Sequence, residues 1–235
     1  MINSYSHFLF DADETLFKFD AFAGLQHMFQ QFGVYFDVAH FEAYQKLNKP
    51  LWVQYQNGDI SAETLQITRF EYWANTLNVS AKHLNERFLN SMALICEPLA
   101  GAKELIEHLL AQQKSLTIVT NGFTALQQKR LKATGLESAF EHIVISEQIG
   151  WAKPNVKVFE HTLDLLGLSS DDKAKVLMIG DTLESDIQGG INAGIDTCWL
   201  NHNNASHQGI KPTYSVTNLN QLLDMFKQTN PTILD

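Results

Sequence analysis

Short apolar runs recur at residues 7–10, 116–119, 143–145, 176–179 and 197–200, and between the later ones the periodicity changes. There the stretches 123–133, 156–166 and 185–193 carry apolar residues at helical spacing. Strand-length apolar runs alternating with such helices imply βαβ units and a parallel sheet buried on both faces. Gly135, Gly167 and Gly194 each follow one of these helices, where a left-handed C-cap is expected. Residues 19 to 95 interrupt the alternation. They are rich in aromatics, show no convincing strand, and read as helices near 21–31, 39–57, 62–77 and 81–93. Pro50 removes a backbone donor, so the second of these is expected to kink or restart there. Pro98 and Gly101 then return the chain to a helix over 102–112 and to the second strand. The fold class expected is α/β: a parallel Rossmann-like sheet flanked by helices, carrying an inserted all-helical domain. Residues 1–17 and 97–235 form the core domain in this reading, and 18–96 form the insertion.

Composition excludes several classes. The 235 residues carry 17 Lys+Arg against 26 Asp+Glu, a formal net charge of −9. Non-specific nucleic-acid binding draws on Lys and Arg at phosphates, so no nucleic-acid partner is expected. No run approaches the roughly 20 apolar residues of a membrane span, and none is expected. Acids interrupt the first apolar stretch and no basic region precedes it, unlike a signal peptide. Cys96 and Cys198 are far apart and form no CxxC, which suits a reducing cytoplasm. Neither GxGxxG nor a P-loop occurs. Cys198, His202 and His207 offer three ligands where a structural zinc takes four, and are not assigned one. The basic run 129–132 reads as a solvated helix face.

Four clusters carry chemistry. Asp11 and Asp13 follow the first apolar run; Thr120, Asn121 and Gly122 end the second; Lys153-Pro154 precedes a helix; Gly180-Asp181 ends the fourth run, with Asp186 five residues on. In an open parallel sheet ligands bind beyond the carboxyl ends of the strands, so these residues converge in space. Two carboxylates leaving one strand suit a nucleophile or metal ligand beside a general acid/base. A hydroxyl and backbone N–H groups before a helix suit a phosphate. Asp181 and Asp186 suit a hard cation, Mg²⁺ above all. Each cluster alone has an ordinary reading: acids and Asn-Gly open turns, lysines sit in solvent, and Asp186 suits a helix dipole.

Their order removes the ambiguity. DxDxT, TNG, a lysine before a helix and GDxxxxD, in that sequence, resemble the haloacid dehalogenase-like hydrolase superfamily, and the insertion resembles that family's first-type cap. The resemblance implies that Asp11 is the nucleophile and Asp13 the general acid/base. Thr120, Asn121 and Lys153 would hold the phosphoryl group. Mg²⁺, replaceable by Mn²⁺ or Co²⁺, would be held by Asp11, Asp181, the backbone carbonyl of Asp13, and Asp186. Phosphatases and phosphomutases of the family have an Asp at the position of Asp13, whereas dehalogenases lack it. The stretches FDADETLFKFDAF, NKPLWVQYQNG, TNGFTALQQKRL and GDTLESDIQGGINAG are similar to the bacterial pyrimidine 5′-nucleotidases. That similarity implies UMP, dUMP and dTMP as substrates, with a sugar-phosphate phosphatase or a phosphomutase as the alternative. A sensor that binds a phosphorylated ligand without turnover is disfavoured by the complete motifs. A small phosphorylated molecule is the only partner expected, and a monomer and a homodimer both remain open. Most cap aromatics at helical spacing read as bundle core. Asn48 and Trp52, flanking Pro50, are the candidates for substrate specificity, Asn48 as donor and acceptor and Trp52 as a stacking face.

Overall fold

The computed structural model describes residues 2–207 and 209–228. Its centre is a six-stranded, all-parallel sheet in the order β3-β2-β1-β4-β5-β6. The strands are β1 (His7–Phe10), β2 (Ser115–Thr120), β3 (His142–Ile145), β4 (Val176–Gly180), β5 (Asp196–Leu200) and β6 (Tyr214–Val216). Side chains alternate across the sheet. Phe8 and Phe10 of β1 join one apolar layer, beneath α6 (Ala102–Ala111) and α11 (Leu219–Gln228). Leu9 joins the opposite layer, beneath α9 (Val156–Leu165) and α10 (Gln188–Ala193). All three are fully buried, each contributing about 1.5–3 kcal/mol in removed apolar surface. Cys198 lies fully buried in β5, and burial pushes its thiol up to about 12.

Five helices occupy the insertion: α1 (Ala21–Gln30), α2 (Val38–Asn57), α3 (Ala62–Thr68), α4 (Glu71–Leu77) and α5 (Ala81–Leu94). They share a separate aromatic-rich core. Asp20, Asp37, Ser61 and Ser80 cap α1, α2, α3 and α5, each side chain accepting a backbone N–H at 2.9–3.1 Å.

Three local expectations need correction. The helix through Pro50 neither breaks nor restarts, for α2 runs continuously from Val38 to Asn57. Proline forfeits one hydrogen bond there, but Lys46 and Pro50 are exposed, and Tyr44, Leu51 and Tyr55 anchor both halves in the core. The single helix expected over 62–77 is instead two, α3 and α4. The chain turns at Arg69 and Phe70, both buried, with Arg69 closing α3 and Phe70 opening α4. The stretch 185–193 opens as a π turn, Leu183–Ile187, before α10 begins.

The two crossings between sheet and insertion lie side by side. Lys18 N–H donates to the Glu97 carbonyl and Leu99 N–H to the Leu16 carbonyl, both at 2.9 Å. Phe17 also makes isolated bridges to Asp13 and Pro98. Among the described residues no helix is long and apolar enough to cross a membrane.

Candidate active site

The strand register brings the chemistry together. Phe10 pairs with Ile118 of β2 on one side and Ile179 of β4 on the other, so Asp11 emerges level with Val119 and Gly180, one residue short of Thr120 and Asp181. Asp11 N–H still donates to Ile179 O at 2.9 Å, which ties the first residue past β1 to the sheet. Asp11, Asp13, Thr120, Asn121, Lys153 and Asp181 then line a single cleft of about 200 Å³.

Lys153 is the hub. Its side chain is 1% exposed, and Nζ donates to Asp11 Oδ1 at 2.6 Å, to Val119 O at 2.6 Å, and meets Asp186 Oδ1 at 2.8 Å. Asn121 positions it: Lys153 N–H donates to Asn121 Oδ1 at 2.7 Å, and Asn121 Nδ2 donates to Lys153 O at 2.9 Å. The Asn121 side chain is thus committed to the lysine, leaving its backbone N–H as the group that can meet a phosphate. Thr120 Oγ1 accepts from Gly122 N–H at 3.0 Å, and its hydroxyl proton remains available to the cleft.

On the other side, Asp181 is held by Trp199, whose indole N–H donates to its carbonyl at 2.8 Å. Asp186 accepts from Thr182 N–H at 3.0 Å and from the Ser185 hydroxyl at 3.2 Å. Gly180 makes this possible, since a Cβ there would collide with the Asp186 carboxyl group.

One oxygen each from Asp11, Asp181 and Asp186 lie within 4.8 Å of one another. Burial pushes the Asp11 carboxyl up to about 7 despite Lys153, with Asp186 and Asp13 adding to the rise. Burial and then repulsion from Asp11 and Asp186 push Asp181 to about 8. Lys153 moves the other way: burial would lower it, but Asp11 and Asp186 outweigh burial and hold it above its ordinary range. Three carboxylates against one ammonium leave the cluster short of positive charge. An all-oxygen donor set of this kind fits a hard divalent cation.

Asp13 takes a different route. Its carboxylate stands outside that trio and pairs with Arg130, which is 1% exposed on α7 (Thr124–Thr134). Arg130 Nε donates to Gln127 Oε1 at 2.8 Å, and its guanidinium lies 4.7 Å from the centre of the Phe17 ring. This corrects the reading of 129–132 as a solvated face: Arg130 points inward. On α7 it shares the buried face with Leu126, Gln127 and Leu131, at three- and four-residue spacing.

Asn48 and Trp52 border a second cavity of about 200 Å³, under the insertion. Tyr44 hydroxyl donates to Asn48 Oδ1 at 3.3 Å, and the Trp52 ring lies 5.3 Å from that of Phe123.

Comparison with known proteins agrees with this geometry. A family model for haloacid dehalogenase-like hydrolases matches residues 8–200. The pyrimidine 5′-nucleotidase YjjG of Escherichia coli is 54% identical over 214 residues, covering 91% of this chain and 94% of its own. Pyrimidine 5′-nucleotidase PynA of Streptococcus pneumoniae is 37% identical over 226 residues, 94% of each chain. The solved structure of the HAD-hydrolase YfnB of Bacillus subtilis, described as bound to magnesium and as revealing interdomain movement, superposes with a TM-score of 0.80. It shares 29% identity and covers 95% of this chain and 99% of its own. With the motifs gathered at the strand ends and the family model spanning most of the chain, this protein belongs to the haloacid dehalogenase-like hydrolases.

Proposed function

We propose that the protein is a Mg²⁺-dependent phosphomonoesterase acting on pyrimidine nucleoside 5′-monophosphates, UMP, dUMP and dTMP among them. The observation that carries the reading is the buried Asp11–Lys153–Asp186 cluster beside Asp181, in a cleft that continues into an aromatic cavity. The relatives named as pyrimidine 5′-nucleotidases match along nearly their whole length, which supports extending that substrate class to this chain.

In this reading residues 1–17 and 97–235 form the catalytic core, and 18–96 the cap. Asp11, Asp181 and Asp186, with the backbone carbonyl of Asp13, hold the cation. Bound there, Mg²⁺ supplies charge neutralisation and Lewis-acid polarisation of the phosphoryl group. The Asp11 carboxylate attacks phosphorus in line. The bond to the nucleoside 5′-oxygen breaks, that oxygen takes its proton from Asp13, and an aspartyl-phosphate remains on Asp11. Asp13, now a carboxylate, takes a proton from water, which attacks phosphorus and releases inorganic phosphate and free Asp11. Lys153 neutralises one phosphoryl oxygen, while the Thr120 hydroxyl and the Asn121 backbone N–H donate to others. Two unpaired cysteines fit a cytoplasmic setting.

Phosphate release from a panel of UMP, dUMP, dTMP, AMP, glucose 6-phosphate and p-nitrophenyl phosphate, with Mg²⁺ and with EDTA, tests this. Pyrimidine nucleotides turning over fastest and only with the cation is the expected result. Faster release from a sugar phosphate, or isomerisation with little free phosphate, refutes the nucleotidase assignment.

A further inference from the structure

Arg69 carries a charge that no acid of the described chain neutralises. It stands where α3 gives way to α4 and is 4% exposed. Its guanidinium carbon lies 5.1–5.2 Å from the ring centres of Phe70, Phe88 and Phe123. Among the described residues no carboxylate forms an ion pair with it. Its protein partners are neutral: Nη2 donates to the Asn85 side-chain oxygen, and the Tyr44 hydroxyl is the other hydrogen-bond partner. Its Nε is buried with no partner at all. Taking a guanidinium out of water is costly, and ring faces with two neutral partners offset only part of that cost. One donor stays unmet.

The location shows what can answer the charge. Arg69 lines the cavity of about 200 Å³ together with Tyr44, Asn48, Trp52, Phe88 and Leu126. Asp13, Gly122 and Trp52 line both this cavity and the cleft that holds Asp11, Thr120, Lys153 and Asp181. A phosphoryl group seated at the strand ends therefore leaves the remainder of its ester at the Arg69 cavity. Arg69 also borders a second hollow of about 320 Å³, lined by His40, Tyr72 and Trp73, but that hollow shares no residue with the cleft.

We infer that Arg69 is a specificity-determining residue that donates to the carbonyl oxygen at position 4 of the substrate's pyrimidine ring. The inference rests on the nucleotidase reading above. An aromatic-walled cavity favours a flat, uncharged ring, and a guanidinium with no acidic partner in its wall favours one rich in acceptors. Uracil and thymine satisfy both conditions, with carbonyl oxygens at ring positions 2 and 4. Cytosine replaces the second with an amino group, a donor that faces the guanidinium without bonding. Asn48, placed in the same wall, has both a donor and an acceptor for the intervening ring N–H and its neighbours. The chemistry thus selects oxo-pyrimidines over amino-pyrimidines.

Steady-state kinetics with UMP, CMP and ribose 5-phosphate, in wild type, Arg69→Lys and Arg69→Met, test the assignment. Wild type is expected to favour UMP over CMP at least about tenfold in kcat/KM, since an unmatched polar group in a buried site is strongly rejected. Both variants are expected to lose about 10- to 100-fold on UMP, chiefly through KM, and to bring the UMP/CMP ratio close to one. Ribose 5-phosphate has no base and should lose far less. Lysine keeps the charge and most of the volume while losing the fork, so it remains informative if the methionine variant fails to fold. Parallel loss on all three substrates, or a UMP/CMP ratio near one in wild type, overturns the inference. A wild type that turns over ribose 5-phosphate but neither nucleotide overturns the nucleotidase reading instead. Calorimetric titration with uridine and cytidine then decides the inference separately: uridine binding weakened at least about tenfold in Arg69→Lys supports it, and no uridine binding removes it.

Discussion

Asp11 and Asp13 are two residues apart yet face different partners, and that difference sets what each can do. Asp11 is wedged among Lys153, Asp181 and Asp186, where an amide cannot replace it as a nucleophile. Asp11→Asn is therefore expected to abolish phosphate release while circular dichroism stays that of the wild type; measurable nucleotide turnover by this variant refutes the mechanism. Asp13 is held by Arg130, itself braced by Gln127 and Phe17. Arg130→Met should lower kcat for UMP by about 10- to 100-fold, in the range of misplaced acid catalysis. It should lower kcat for p-nitrophenyl phosphate much less, because that leaving group needs little protonation. Equal losses on both substrates make Arg130 a packing residue only. The two raised carboxyls also set a pH dependence for the metal-free protein. Asp11 at about 7 and Asp181 at about 8 hold their protons more tightly folded than unfolded. Their contribution to stability is thus complete below about pH 4 and is lost as pH rises through 7 and 8. Mg²⁺ replaces those protons, so the rise in Tm on adding Mg²⁺ should be larger at pH 8.5 than at pH 6. A pH-independent rise in a thermal scan contradicts this.

At the scale of elements, the insertion is attached by paired segments that hydrogen-bond to each other, 15–18 with 96–99. Side-chain contacts across the gap hold the present arrangement: Tyr55 hydroxyl and Ser146 Oγ are 2.7 Å apart, and Glu147 accepts from both Gln66 Nε2 at 2.8 Å and Thr124 N–H at 2.7 Å. Replacing Glu147 with Ala removes a link from α3 to the start of α7 and should widen the opening. Small-angle scattering of that variant, free and with substrate analogue, is expected to show a larger change than wild type; identical curves rule out a hinge at this pair. The continuity of α2 through Pro50 matters here too, because it places Asn48 and Trp52 on one rigid rod above the cleft rather than on a loop. Trp52→Ala should raise KM for UMP and dTMP more than for p-nitrophenyl phosphate. A parallel change on both marks Trp52 as packing against Phe123 and nothing more.

For the whole molecule, the functional division follows the sheet. In the proposed function the strand ends supply charge and the phosphate site, which every monophosphate would use alike, and the helical insertion supplies the wall that would meet the remainder of the ester. Activity is expected to vanish with exhaustive EDTA treatment and to return with Mg²⁺. Ca²⁺ should restore it poorly, because its longer and more numerous bonds loosen an octahedral arrangement. Full activity after chelation refutes the cation's role.

Much of this was legible in the residues. The strands at 7–10, 116–119, 143–145, 176–179 and 197–200 lie within one residue of β1 to β5, because a buried parallel strand must be apolar on both faces and so marks itself locally. The strand β6 escaped notice: Tyr214-Ser215-Val216 is a three-residue edge with one buried side chain, too short to show a period. The cleft's four motifs were readable for a related reason, since topology carries whatever follows these strands to one end of the sheet. Arg69 and Arg130 were not readable. Whether an arginine on a helix faces water or a core depends on what another part of the chain packs against it. For Arg130 that was Asp13 and Phe17, and for Arg69 a ring of phenylalanines from the turn before α4, from α5 and from the loop after β2. Local sequence determined the strands, the order of the motifs and the candidate reacting groups. Only tertiary contact decided which charges were buried, and with them the partner of the second aspartate and the arginine in the wall of the aromatic cavity.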